Sequence, residues 1–190
     1  MKVYLAGPEV FLAEAREIGE RKKHICRKYG VTGHYPLDAA LDLTGLAPAE
    51  AARLIFKFNI NAIDDSDALI ANMAPFRGVG LAGGTAFEMG YAAALGIPIY
   101  AYTNDPRSYL GRARSLGLVA RLDEAGRSRD AQDLEIEDFG LIDSLMPVCS
   151  AKELSKPMFW RAGTSAAEGF DTGLAMFEAA VQQAVHAFKA

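Results

Sequence analysis

The segment "KVYLAG", Lys2 to Gly7, is a short apolar run closed by Gly7 and Pro8, the pattern of a strand buried on both faces. From Phe11 to Tyr29 the period changes: Leu12, Ala15, Ile18 and Ile25 fall on one side and charged residues on the other, which predicts a helix. "VTGHYPL" alternates weakly and reads as a second strand. "LDLTGLAPAE" is a loop whose Pro48 suits the first turn of a second helix, expected to run to about Asp64. "DALIANM" is a third strand, a glycine-rich loop follows, "TAFEMGYAAAL" is a third helix ending at Gly96, and "IPIYAYT" is a fourth strand. Strands alternating with helices predict an α/β fold, a doubly wound parallel sheet of flavodoxin or Rossmann type with helices on both faces. Such sheets bind ligands at the carboxyl ends of their strands. The segments expected there are Gly7-Pro8, Asn72 to Gly84, and Thr103 to Arg107.

The second half has a weaker pattern. "RSLGLVARLDEAGRSRDAQDLEIEDFG" mixes charged residues with breakers and reads as irregular or partly helical, "LIDSLM" as a short helix, "PMFWRAGTSAAEG" as an exposed loop, and "GLAMFEAAVQQAVHAFK" as a closing amphipathic helix.

With 190 residues, 51% of them hydrophobic and 23% charged, residues 1–190 suffice for a single domain with a substantial core. The net charge of −4, with few clustered lysines or arginines, argues against nucleic-acid polymers and anionic membranes as partners. The apolar run at the start is too short for a signal peptide core, and no unbroken apolar stretch reaches membrane-spanning length, so a cytoplasmic protein is expected. Cys26 and Cys149 have no paired spacing, and His24, His34 and His186 lie far apart, which points to neither a disulfide framework nor a metal site.

The stretch "FRGVGLAGGTAFEMGYA", Phe76 to Ala92, allows three readings. Thr85 and Glu88 have the spacing of a capping box, in which the glutamate reaches back to the amide of residue 85. Gly78, Gly80 and Gly83 spell G-x-G-x-x-G, with Asp105 about twenty residues on, as in a dinucleotide site. Against that reading, "APFR" separates the strand from the first glycine, and Glu88 would stand close to the pyrophosphate. In the third reading the glycine loop admits a sugar and Glu88 attacks its anomeric carbon, with a second acid, Asp67 being the candidate, protonating the leaving group. Asp67, with Asp64 and Asp65, also fits a solvated turn.

"VYLAGPEVF", "INAIDDSDALIANMAPFRG" and "GTAFEMGYAAALG", in this order and spacing, resemble the nucleoside 2-deoxyribosyltransferase family. The likeness covers roughly Lys2 to Tyr102, and more loosely "EDFGLIDSLM". It implies a single domain with a parallel five-stranded α/β sandwich that cleaves the N-glycosidic bond of a deoxynucleoside and passes the sugar to another base, without a cofactor. By position, Glu88 resembles the family nucleophile, Tyr4 the tyrosine that orients it, and Asp67 the acid beside the base. Gly7 and Pro8 correspond to the loop flanking the sugar, Gly84 to the glycine of the family's D-x-G-T-A-F-E motif, and Phe76 and Arg77 to the border of the base pocket. The helix N-terminus is expected to favour the Glu88 anion. The resemblance also implies a homo-oligomer, and the apolar residues of the closing helix and of "PMFW" are compatible with its contact surface.

Two positions depart from the family pattern. Ala82, six residues before Glu88, stands where the family has an aspartate that grips a sugar hydroxyl, and Ser144 stands where it has an asparagine that reaches one across a subunit interface. A lost hydrogen bond to a charged group costs about 1.5–3 kcal/mol, so the sugar recognised is open to deoxyribose, ribose or a 5′-phosphorylated sugar, or to one held by Asp143. Alternatives to the transferase are therefore an N-glycoside hydrolase acting on a nucleoside or its 5′-monophosphate, with Arg77 on the phosphate, and a non-catalytic nucleotide-binding module.

Overall fold

The structure, a computed structural model, describes residues 1–39, 41–155 and 166–190. Its centre is a parallel sheet of five strands in the order β2-β1-β3-β4-β7: β1 (Lys2–Ala6), β2 (Thr32–His34), β3 (Ala68–Asn72), β4 (Ile99–Tyr102) and β7 (Glu153–Ser155). Helices α1 (Ala15–Lys28) and α6 (Ala166–Lys189) cover one face. Helices α2 (Pro48–Asp64), α3 (Gly83–Ala94) and α5 (Leu145–Ser150) lie on the other. The short α4 (Tyr109–Ser115) follows β4.

Alternation along β1 sorts the core. Val3 and Leu5 join Cys26, Phe177, Val181 and Ala184 under α1 and α6, whereas Tyr4 and Ala6 join Ile63, Met89 and Ala92 under α2 and α3. Strand order reverses between β1 and β3, so the crevice of a doubly wound sheet opens above their carboxyl ends, at Gly7 and the loop after Asn72.

Local signals explain the element ends. Pro48 opens α2, and the Glu50 carboxylate accepts the Ala47 amide at 3.2 Å. Helix α3 stops at Gly96 in the left-handed region (φ 71), where the Ile97 amide reaches the Ala92 carbonyl at 2.9 Å. The first helix starts at Ala15, later than its apolar spacing predicts, because Pro8–Phe11 forms a separate 3-10 turn.

The second half departs further from its sequence pattern. The stretch read as irregular contains an antiparallel hairpin, β5 (Arg121–Leu122) with β6 (Ser128–Arg129), tied by Asp123 to Arg127 and Arg129. The fifth parallel strand, β7, has three residues and no periodicity to announce it. Helix α5 begins at Leu145, so most of "LIDSLM" lies before it. The last helix begins at Ala166 and takes in the "AAEG" read as loop, while "PMFW" lies outside the described residues.

The apolar residues of α6 were compatible with an oligomer surface; Leu174, Phe177, Ala180, Val181 and Ala184 are instead buried in the core. Among the described residues no helix is long and apolar enough to cross a membrane.

Candidate active site

Because Tyr4 is on the α3 side of β1, its phenol runs beneath that helix, fully buried, and its hydroxyl donates to Glu88 Oε1 at 2.6 Å. Glu88 can meet it because α3 starts at Gly83, with Ala82 as N-cap and no side-chain cap. Thr85 is therefore inside the first turn and Glu88 on the second, out of reach of the N-cap amide. The capping-box reading fails for this reason: both glycines before Thr85 are helical.

Burial pushes the Glu88 carboxyl up to about 7, against the opposing effect of the Tyr4 hydrogen bond. The expectation that the helix N-terminus favours the anion is thus corrected. Dipole stabilisation fades beyond the first turn, and desolvation outweighs it at the second. The Tyr4 phenol is held far above its ordinary range by burial and by the neighbouring Glu88 charge, so it serves as a hydrogen-bond donor.

The other residues singled out in the sequence separate into two groups. Gly7, Pro8, Phe76, Arg77 and Gly84 all follow the carboxyl ends of β1 and β3, on the same edge as the crevice. Gly7 is closely fitted: a Cβ there would stand 2.0 Å from Glu9 Oε2 and 2.9 Å from Asn72 Cβ, so a side chain at this position displaces its neighbours. Phe76 stacks on Phe11 at 5.1 Å, and the Arg77 guanidinium lies 4.8 Å from the Phe76 ring centre and 5.7 Å from that of Phe11. Gly84 is exposed in the first turn of α3.

Asp67 is not brought to Glu88. It precedes β3 at the opposite, amino edge of the sheet, exposed, and accepts the Lys2 amide at 2.7 Å while its own amide donates to the Lys2 carbonyl. It closes the start of a β-ladder, which corrects its assignment as the acid. Asp105 is equally unsuited to a ribose: it is buried and engaged by Arg107. Ser144 is the half-buried N-cap of α5, and Asp143, the substitute sugar ligand, is buried and occupied by Arg112 and by the amides of Leu81 and Ser144.

Sequence reasoning missed a buried hub under the same edge. Glu9 Oε1 accepts from Lys22 Nζ, from Asn72 Nδ2 at 2.7 Å and from Tyr102 OH at 2.8 Å. Burial pushes Glu9 up, but the Lys22 charge and these bonds hold its carboxyl below the usual range. Lys22 also lies 5.4 Å from the Tyr102 ring centre and 5.2 Å from that of Phe177. The available signal was Lys22 itself, a cation four residues from both the apolar Ile18 and Cys26 on the inner face of α1.

The family model for nucleoside 2-deoxyribosyltransferase matches residues 3–146, an interval that holds Tyr4, Glu88 and the whole crevice edge. The chain belongs to the nucleoside 2-deoxyribosyltransferase family. Similar to it is the uncharacterized protein C191.05c of Schizosaccharomyces pombe, 34% identical over 155 residues, covering 76% of this chain and 74% of that one. Among solved structures, the 2-desoxiribosyltransferase from Leishmania mexicana superposes with a TM-score of 0.61 at 27% identity, covering 94% of this chain and 97% of that one. The family fold and the observed five-stranded sheet with helices on both faces agree.

Proposed function

We propose that the protein is a cytoplasmic nucleoside 2-deoxyribosyltransferase that works through a Glu88 ester. The observation that carries this reading is the 2.6 Å hydrogen bond from Tyr4 to Glu88 at the β1/β3 crevice, in a chain of this family. An ionised Glu88 oxygen bonds to the anomeric carbon as the N-glycosidic bond breaks, its electron pair going to the base nitrogen, which takes a proton from water. The incoming base then attacks the same carbon through a nitrogen whose proton passes to the hydroxide left by the first step, the ester bond breaks, Glu88 leaves as carboxylate, and the configuration is retained overall. Neither step calls for a cofactor. Tyr4 fixes the attacking oxygen, and the shelf of Phe76 and Phe11 supplies apolar faces on which a planar base can stack.

The test is incubation with a deoxynucleoside and a different free base, beside Glu88→Ala. A new deoxynucleoside formed by the wild type alone is expected; an active Glu88→Ala protein would overturn the reading. A second reading, hydrolysis of nucleoside 5′-monophosphates, is favoured by Arg77, which pairs with no carboxylate among the described residues and is free to meet a phosphate. It predicts that Arg77→Ala loses turnover of monophosphates selectively.

For assembly, one exposed apolar patch lies on α2 and α3: Leu54, Ile55, Phe56 and Phe87 are exposed, with the Phe56 and Phe87 rings 5.9 Å apart. We read it as the contact with a second copy of the chain; a monomer by light scattering at working concentration rejects this.

A further inference from the structure

The loop that leads into α3 is rich in glycine, yet α3 must be placed to within a fraction of an ångström for Glu88 to meet Tyr4. Its restraint comes from across the fold. Arg112 on α4 is buried, 1% exposed, and its Nε donates to the Val79 carbonyl at 2.7 Å. Its other nitrogens reach the carbonyls of Arg107 and Ile142 and, at 3.2 Å, Asp143 Oδ2. The same carboxylate oxygen accepts the Leu81 amide at 2.9 Å, one residue before the N-cap of α3. Among the described residues, these are the hydrogen bonds that tie residues 78–82 to another part of the chain. Gly80 is fitted to the arrangement, since a Cβ there would stand 3.3 Å from Asp143 Oδ1.

We propose that Arg112 is a positioning residue: through Val79, Asp143 and Leu81 it sets where α3 begins, and so holds Glu88 against Tyr4. A buried ion pair of this kind adds little net stability compared with apolar side chains of similar volume. What apolar groups cannot reproduce is the directed grip on one carbonyl and one amide of this glycine-rich loop. Released, the loop lets α3 shift along β1, which lengthens the Tyr4–Glu88 bond and admits water to the carboxylate.

The kinetic side of this inference rests on the transfer reaction proposed above; the structural side does not, and the experiment keeps them apart. The double variant Arg112→Met/Asp143→Leu removes both charges together and avoids stranding either. Asp143→Asn, read in the same way, serves if the double variant does not fold. The Glu88 carboxyl is titrated by carbon NMR in wild type and variant, with Tyr4 as the titratable group facing it, and kcat and KM for base exchange are measured on the same samples.

The expected result is a cooperatively folded variant whose Glu88 midpoint moves down from about 7 towards the ordinary carboxylate range, because water entry removes the burial that is the larger cause of the raised value and outweighs the weakened Tyr4 bond. The kcat should fall by up to about 100-fold, the scale of an ångström-sized misplacement, with KM changed far less. A folded variant with an unmoved Glu88 midpoint overturns the proposal. A shifted midpoint in a protein whose wild type exchanges no base leaves the positioning role standing and removes the transferase reading instead.

Discussion

Lys22 and Glu9 meet beneath the carboxyl ends of the strands, Arg112 and Asp143 meet beside them, and all four side chains are almost completely buried. They hold different things. Glu9 and Lys22 are bound by side chains rooted in regular structure, Asn72 at the end of β3 and Tyr102 at the end of β4, and lie against aromatic rings. Arg112 and Asp143 are bound mainly by backbone groups of loops. Strand ends are already placed by the sheet, so the first pair adds a charge that must stay neutralised and little else that only it can provide. The loops have no sheet to place them, and on our proposal the second pair sets where the loop before α3 lies. Similar chemistry thus serves a core in one place and a site in the other, and Tyr4 with Glu88 lies where a shift in either would be felt.

The largest separation between the two regions is expected from Lys22→Met. It leaves Glu9 buried without its cation, which costs about 3–5 kcal/mol of stability. Denaturant unfolding reads this directly; a loss of turnover with stability intact would make the two pairs equivalent and break the comparison.

Glu88→Gln is next. With a folded value near 7 and an ordinary value of 4.5, the folded state holds its proton to higher pH than the unfolded one. Its contribution is therefore full below about pH 4.5 and is lost as pH rises through 7. Glutamine has no charge to bury, so this variant should be more stable than wild type at pH 8, by on the order of 3 kcal/mol, and gain nothing at pH 4. Melting curves at both pH values check the sign, while base exchange should vanish at both.

Tyr4→Phe removes the hydrogen bond that favours the Glu88 anion and leaves the burial that opposes it. The acidic limb of kcat/KM, expected near 7 in the wild type, should move up by about 1–2 units, from a bond to a charged group of about 1.5–3 kcal/mol. A limb that stays in place would mean that Tyr4 only fills space. The smallest effect is expected for Gly7→Ala, about 1–3 kcal/mol, because the new methyl displaces the Glu9 carboxylate it would touch. If that variant lost turnover and kept its stability, the Glu9 hub would have to be counted with the site.

Legibility followed the same division. Both strands that frame the crevice, and helix α3 with its Gly96 stop, were readable because each is a local pattern: an apolar run, a 3.6-residue period, a glycine in the left-handed region. Tyr4 and Glu88 were found through motifs in the first half of the chain, and the structure brings them into contact. Asp67 was misjudged because its motif lies on the right strand but at the wrong end. Strand direction, fixed by pairing of Ala68 with Val3, sends it to the edge opposite the crevice. Strand β7 and the hairpin β5/β6 escaped notice because short strands are stabilised by their neighbours, and no periodicity can build up over two or three residues.

What the sequence determined by itself was the alternation of strands and helices, a net charge of −4, and the motifs that place a tyrosine and a glutamate in one family pattern. What only the tertiary structure decided was which charges are buried, what each touches, and therefore what each does. Glu88 binds Tyr4 instead of capping its helix, Asp143 holds a loop instead of a sugar, and Arg112 stands 31 residues before its carboxylate in the chain. The reason is one of range: propensity and period act over a few residues, whereas desolvation and hydrogen bonding depend on groups that meet only when the sheet and its helices have closed around them.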